Sequence, residues 1–195
     1  MRRIVVFESL TLDGVMQAPG RPDEDRRGGF KHGGWAGPYA DPDMGRAAGE
    51  SMATTGGLLF GRRTYEDFYS VWPSRADNPF TEVLNNSPKF VVSRKLEQPL
   101  PWMNSTLLKG DAAVTVARLK KQEGKDLVIL GSGELVRSLM RSNLIDEYTL
   151  LIHPLILGSG QRLFQDDDSS ATLRLVDSKT TTTGVVIAIY RPADS

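Results

Sequence analysis

The run Asp126–Leu130 (DLVIL) passes without a spacer through Gly131-Ser132-Gly133 into a stretch carrying Leu135, Val136, Leu139 and Met140 at helical spacing. A strand that is apolar at consecutive positions needs cover on both faces, which is the environment of a central strand in a parallel sheet. A strand that turns directly into a helix is also half of a parallel crossover unit. Strands and helices alternate around this feature. Residues 3–9 (RIVVFES) are β-branched and aromatic and predict a buried first strand, followed by the Asp13-Gly14 turn. Asp41-Pro42-Asp43 offers a capping oxygen, a proline at the first helical position and an acid near the positive helix end, so a helix starts there and runs to Thr54.

Leu58–Phe60 predicts a short strand, and Gly61-Arg62-Arg63-Thr64 opens a helix bearing Tyr65, Phe68, Tyr69 and Trp72. Asn78-Pro79 starts another short helix, Lys89–Ser93 (KFVVS) reads as a strand, and Thr106–Leu108 as one more. Asp111 caps a helix whose inner side is expected at Val114, Ala117 and Leu119. After a strand at Tyr148–Ile152 the chain finishes in two further strands, 171–178 and 184–190. The sum is one α/β domain over residues 1–195, with a mostly parallel sheet and an antiparallel C-terminal edge. Residues 17–41 are rich in Gly, Pro, Asp and Arg and have no period. A loop of that length is functional or mobile.

Several function classes drop out on composition. The chain has no cysteine, which removes disulfides, thiolate metal sites and thiol catalysis. Its two histidines, His32 and His153, are far apart and in no metal-ligand spacing. Lys plus Arg is 24 and Asp plus Glu is 24, so bulk attraction to nucleic acid is not expected. No apolar run reaches the roughly 18 residues of a membrane span. Glu8 and Asp13 interrupt the N-terminal apolar segment, which therefore does not read as a signal peptide, and a cytoplasmic location is expected.

Three places carry chemistry. Gly131-Ser132-Gly133 lets backbone approach a phosphate at a helix N-terminus, or is simply a tight turn. A Rossmann fingerprint is incomplete, because Val136 stands where the third glycine belongs and no ribose-binding acid follows at the right distance. Gly61-Arg62-Arg63-Thr64 places arginine forks and a hydroxyl at a second strand-to-helix turn, where the bland reading is a solvated arginine pair and a cap. Ser93-Arg94 ends a third strand. All three fall at carboxyl ends of predicted strands, the edge on which open α/β sheets bind ligands, and together they suit one extended polyphosphate ligand. No G-x-x-x-x-G-K-[ST] and no G-x-S-x-G is present, so neither a P-loop kinase or ATPase nor a serine hydrolase has an anchor.

The segments SLTLDGVM, LLFGRRTYEDF, KFVVSRKL, DLVILGSGELVRSLM and IDEYTLLIHPLILGSGQRLF, taken in order, resemble the dihydrofolate reductase-like fold, a three-layer α/β/α arrangement. More narrowly they resemble the reductase domain of the bacterial riboflavin-biosynthesis protein RibD and its stand-alone relatives. The resemblance implies an NADPH-dependent reductase acting on a small-molecule substrate. It implies that Gly131, Ser132, Gly133, Glu134 and Leu135, with Gly61, Arg62, Arg63 and Thr64, bracket the cofactor pyrophosphate. It implies that Ser93 and Arg94 hold the adenosine 2′-phosphate. It further implies a homodimer paired through sheet edges, to which the strand GVVIAIY (184–190) can contribute unless it is a central core strand. Deamination is excluded, because the zinc signature of the bifunctional riboflavin enzymes needs cysteines.

The expected product chemistry is reduction of a ribosylamine to a ribitylamine. A pterin or dihydrofolate-type reductase and a non-catalytic NADPH sensor are the alternatives. The acid that protonates pterin in that fold lies early in the first helix, where only Asp43 and Glu50 can be offered. Asp13 is the candidate for substrate contact or proton delivery, against the plainer reading of a turn aspartate bonding its own backbone. Lys31 and Arg162 are candidate contacts for a substrate phosphate. His153 reads as a structural strand-end residue. His32 and Trp35 belong to the long loop, which is either a lid or a surface excursion.

Overall fold

The computed structural model describes residues 1–76, 78–165 and 169–193. Its strands are β1 (Ile4–Thr11), β2 (Thr55–Gly61), β3 (Lys89–Ser93), β4 (Ser105–Lys109), β5 (Asp126–Leu130), β6 (Glu147–His153), β7 (Leu173–Thr180) and β8 (Val186–Pro192). Its helices are α1 (Pro42–Thr54), α2 (Arg62–Val71), α3 (Phe80–Asn86), α4 (Ala112–Lys120) and α5 (Gly133–Arg141). The strands form a single sheet in the order β4-β3-β2-β5-β1-β6-β8-β7. Every pairing from β4 across to β6 is parallel, and β8 runs antiparallel to both β6 and β7. β5, the apolar run, is paired on both edges, to β2 and to β1.

Both faces of the sheet are covered. Ile4, Val6 and Leu10 of β1 and Ile129 of β5 pack against Val116 of α4 and Leu135, Val136 and Leu139 of α5. The alternate residues Val5 and Val128, with Leu58 and Phe60 of β2, face Tyr65 and Phe68 of α2 and Leu84 of α3. Met44 and Ala47 of α1 close the same side over Leu151 and Ile187. The result is the expected three-layer α/β/α arrangement with an antiparallel edge. Lys89, at the start of β3, has no solvent access. Its ammonium donates to the carbonyls of Leu84, Asn85 and Ser87 at 2.7–3.0 Å and thereby caps the C-terminus of α3.

Three details differ from the sequence reading. Val114 of α4 is half exposed, and Val116 is the fully buried residue of that helix beside Leu119. Asp111 caps α4 through the N–H of Val114 at 3.2 Å, which sets the helix phase and turns Val114 outward. The strand GVVIAIY is no edge, because β8 lies between β6 and β7, and the edge on that side of the sheet is β7. Residues 17–40 are irregular but tied down. Phe30 and Trp35 join Val15 and Ala18 in a small core of their own, against Leu155 and Leu157. Trp35 Nε1 donates to the Gln17 carbonyl at 2.7 Å, and the ring meets His153 edge-on at 5.0 Å. Gln17, itself buried, donates to the carbonyls of Asp25 and Arg27 and accepts from the Gln161 N–H at 2.9 Å. Arg21 then clamps the strap to α2 through Asp67 at 2.6 Å.

The indole of Trp35 is the largest side chain in this small core. Trp35→Ala is expected to lower stability by about 3–5 kcal/mol and to open residues 17–40 to proteolysis. Urea unfolding and limited proteolysis followed by mass spectrometry measure the two effects.

Candidate functional site

The carboxyl ends of β3, β2, β5 and β1, four neighbours in the sheet, open on a cleft of ≈ 770 Å³. Three inter-strand spacings separate the outermost of these strands, roughly 14 Å. The cleft is therefore elongated across the sheet edge. Its wall includes Ser93 and Arg94 after β3, Gly61–Thr64 after β2, Gly131–Leu135 after β5, and Glu8 on β1. Ala18, Glu24 and Arg27 of the strap close the opposite side. All of the residues expected to hold a cofactor, Gly61, Arg62, Arg63, Thr64, Ser93, Arg94, Gly131, Ser132, Gly133, Glu134 and Leu135, line this one cleft.

The two glycine turns are locked to each other. The Gly61 N–H donates to Ser132 Oγ at 3.0 Å, and the Ser132 N–H donates to Thr64 Oγ1 at 3.0 Å. Gly131 (φ +62°) and Ser132 (φ +60°) both adopt the left-handed region that lets β5 turn straight into α5. A Cβ at Gly131 would lie 3.1 Å from Thr64 Cγ2, so the approach of the two turns uses the missing side chain. The helices differ in how they start. Asp41 and Asp111 cap α1 and α4 with their carboxylates. The helices α2 and α5 begin at Gly61 and Ser132 without a side-chain cap. Their first-turn N–H groups and positive dipole ends lie at the cleft wall.

The arginines are held by neighbouring acids. Arg62 pairs with Glu66 at 2.7 Å, Arg63 with Glu134 at 3.0 Å and Arg94 with Asp111 at 3.2 Å. Ser93 Oγ accepts from the N–H groups of Lys95 and Leu96, fixing the turn that presents Arg94.

Asp13 sits elsewhere. Its carboxylate accepts from Thr11 Oγ1 at 2.6 Å and from the N–H groups of Leu157 and Gly158 at 3.2 and 2.9 Å. Arg162 donates to its carbonyl at 2.8 Å. Burial pushes the Asp13 carboxyl up, but these donors outweigh it and bring it down to about 2. An acid held ionised and outside the cleft wall is a poor proton donor. In the structure Asp13 ties the first turn to the Gly158 loop, and Arg162 is spent on the same knot. Asp43 is engaged by Arg46 at 2.7 Å and Lys179 at 2.8 Å. Asp43, Glu50, Lys31 and Arg162 are all absent from the described wall of the cleft. His153 is fully buried, its Nδ1 bonded to the carbonyls of Leu151 and Leu10, which suits the structural role expected of it.

Glu8 is the residue that sequence reasoning passed over. It shares the face of β1 that carries Ile4, Val6 and Leu10, is only 4% exposed, and has one carboxylate oxygen without a hydrogen-bond partner. Burial, with Glu24 adding repulsion, pushes its carboxyl up to about 8. A signal was available: an acid at a core-facing position of an otherwise apolar strand.

A parallel sheet with crossovers on both faces, an antiparallel C-terminal edge and a cleft along the strand ends defines a domain of the dihydrofolate reductase-like class. The chain belongs to the RibD C-terminal domain family, whose profile matches residues 2–187. The Bacillus subtilis (strain 168) protein YyaP, itself uncharacterised, is 29% identical over 97% of this chain and 94% of its own length. A protein provisionally assigned to riboflavin biosynthesis in Shewanella sp. PV-4 superposes with a TM-score of 0.71 at 24% identity, over 98% of this chain and 99% of that one. Enterococcus faecalis dihydrofolate reductase, solved with NADP(H), superposes with a TM-score of 0.63 at 15% identity, over 98% and 97% of the two chains.

The Asp13 knot carries a pH signature. Its folded pKa lies below the unfolded value near 3.9, so its stabilisation is present above that value and disappears as pH falls through about 2. Asp13→Asn is expected to be less stable than wild type at neutral pH, with the difference vanishing at the acid end. Urea midpoints measured from pH 6 down to 2 report this.

Proposed function

We propose that the protein is an NADPH-dependent oxidoreductase that reduces a small heterocycle-linked substrate, of the kind handled by 5-amino-6-(5-phosphoribosylamino)uracil reductase. The observation that carries the reading is the pair of uncapped helix N-termini, α2 and α5, locked side by side at the middle of an elongated cleft. Such a pair offers backbone N–H groups to two adjoining phosphates. The residues on either side fit the rest of a dinucleotide. Arg94, presented by the Ser93 turn, stands at one end for a ribose 2′-phosphate, and its pairing with Asp111 keeps the guanidinium oriented toward that corner. The other end opens on Glu8 and the strap, where nicotinamide and substrate would meet. That NADP(H) is bound by the Enterococcus dihydrofolate reductase of the same fold supports this choice of cofactor.

When bound, the reduced nicotinamide supplies the hydride; the chain's own residues orient and shield it. Gly61, Ser132 and Thr64 hold the two turns at fixed separation. Arg62 and Arg63 offer forks to the phosphates from the first turn of α2, exchanging the carboxylates of Glu66 and Glu134 for phosphate oxygens. The strap, through Ala18, Glu24 and Arg27, limits water in the substrate half. A folate-type reductase is the weaker reading, because neither Asp43 nor Glu50 of α1 reaches the described cleft wall.

Calorimetric titration with NADPH and with NADH tests the proposal. Micromolar binding of NADPH, weaker binding of NADH, and loss of that difference in Arg94→Ala are expected. Binding of neither dinucleotide refutes the cofactor assignment. NADPH binding without oxidation by the aminouracil ribosylphosphate or by dihydrofolate favours a nucleotide sensor. We also propose that the protein is a homodimer, paired along β7, one of the two sheet edges, where Leu175 is 53% exposed. Light scattering is expected to give a dimer mass for the wild type and a monomer mass for Leu175→Lys.

A further inference from the structure

We propose that Glu8 is the proton donor of this cleft: its carboxyl, buried on the β1 floor beside the Gly131 turn with one oxygen unpartnered, supplies the proton that must accompany a hydride. The assignment rests on the reductase reading above. Burial at this position disfavours the ionised form of Glu8. It occupies the row of Ile4, Val6 and Leu10, facing α5, with no cation bonded to it among the described contacts. The charged group that acts on it from the facing strap is Glu24, which repels a second negative charge. Glu24 is turned to its own loop, accepting from the N–H groups of Gly20 and Arg21 at 2.7 and 2.9 Å. From α5, Arg137 is directed to the carbonyl of Arg162 at 3.0 Å. On the flanking strands, Glu8 pairs with Leu150 of β6, and the adjoining Phe7 with Leu130 of β5, both apolar. The backbone N–H groups of Ser9 and Gly131 approach the carboxyl and offset only part of the effect of burial.

Position completes the argument. Glu8 belongs to the last of the four strands along the cleft, on the far side of the phosphate turns from Arg94. With Arg94 holding a 2′-phosphate and the Gly61 and Gly131 turns holding the pyrophosphate, Glu8 would lie at the end of the cleft left for the redox ring. The substrate class that such an acid serves has a polar double bond, C=N or C=O. The acceptor carbon gains the hydride from the reduced nicotinamide dinucleotide. The π pair moves to nitrogen or oxygen, the Glu8 O–H bond breaks, and its proton goes to that atom. Glu8 is left as a carboxylate and regains a proton from water entering the open cleft. Substrate is reduced by two electrons and the dinucleotide oxidised by two.

Two measurements decide this, and the first needs no substrate. An infrared titration of the wild-type protein is expected to show a neutral carboxyl stretch at pH 7 that titrates away near pH 8 and is absent in Glu8→Gln. In parallel, wild-type stability is expected to fall as pH rises from about 4.5 to 8, because the unfolded carboxyl is already ionised there while the folded one is not. Glu8→Gln is expected to make that slope shallower, leaving the part that the buried Glu24 contributes. A wild-type spectrum with no neutral carboxyl at pH 7 overturns the proposal, whether or not the variant folds. The second measurement is turnover with the aminouracil ribosylphosphate and with dihydrofolate. Glu8→Gln is expected to keep NADPH affinity within a few-fold and to lose about 10²–10⁴-fold in kcat, together with the wild-type decline in kcat above pH 8. Unchanged kcat in the variant overturns the assignment. Loss of NADPH binding in the wild type would instead refute the reductase reading. If the wild type binds NADPH but reduces neither substrate, there is no hydride step for Glu8 to serve, and the proton-donor assignment falls with the reductase reading.

Discussion

The insertion of β5 between β2 and β1 organises this molecule. Those two strands are consecutive in the chain yet not adjacent in the sheet, and the strand that separates them arrives some 65 residues after β2 ends. Parallel pairing on both edges brings the carboxyl ends of β3, β2, β5 and β1 into one row. The turns after β2 and β5 thereby become neighbours, and their two reciprocal hydrogen bonds through Gly61, Thr64 and Ser132 fix the spacing of α2 and α5. Without that insertion, the two uncapped helix ends would not share a wall.

The cleft is not strongly cationic. Each arginine expected to meet phosphate already faces a carboxylate, Glu66, Glu134 or Asp111. This arrangement keeps the forks oriented while leaving much of the attraction for an anion to backbone N–H groups and helix dipoles. Exposed pairs of this sort contribute little stability, so they can exchange partners at small cost.

Two acids near the first strand show how environment divides the work of one functional group. Asp13 receives three donors and is held ionised, to about 2, where it serves as a knot between loops. Glu8 has two backbone N–H groups beside it and one oxygen without a partner, lies in an apolar row, and is pushed up to about 8 by burial. Environments that drive two carboxyls apart in this way separate structural from acid roles. The strap adds to the contrast, because Glu24, raised by its own burial, lines the same cleft and repels a charge on Glu8.

Much of this was legible in the sequence. The apolar run of β5, the caps Asp41 and Asp111, and the glycine turns determined an α/β domain and pointed to the strand-end turns that line the cleft, because period, capping and turn chemistry are local properties. The phase of α4 was not legible, since Val114 and Val116 are chemically equal and only the cap geometry and the facing sheet choose between them. Nor was the strap, whose small core joins Val15, Phe30 and Trp35 to Leu155 and Leu157, residues without any shared period. The role of an acid depends on what surrounds it in three dimensions. Asp13 in a turn looked available and is saturated by loop atoms more than 140 residues away. Glu8 looked like one more charge and is the acid on the cleft floor. The sequence by itself determined which elements form and which turns can meet an anion. Only the tertiary structure decided which carboxyl is dry and which is solvated by hydrogen bonds, because desolvation and donor count come from neighbours distant in the chain.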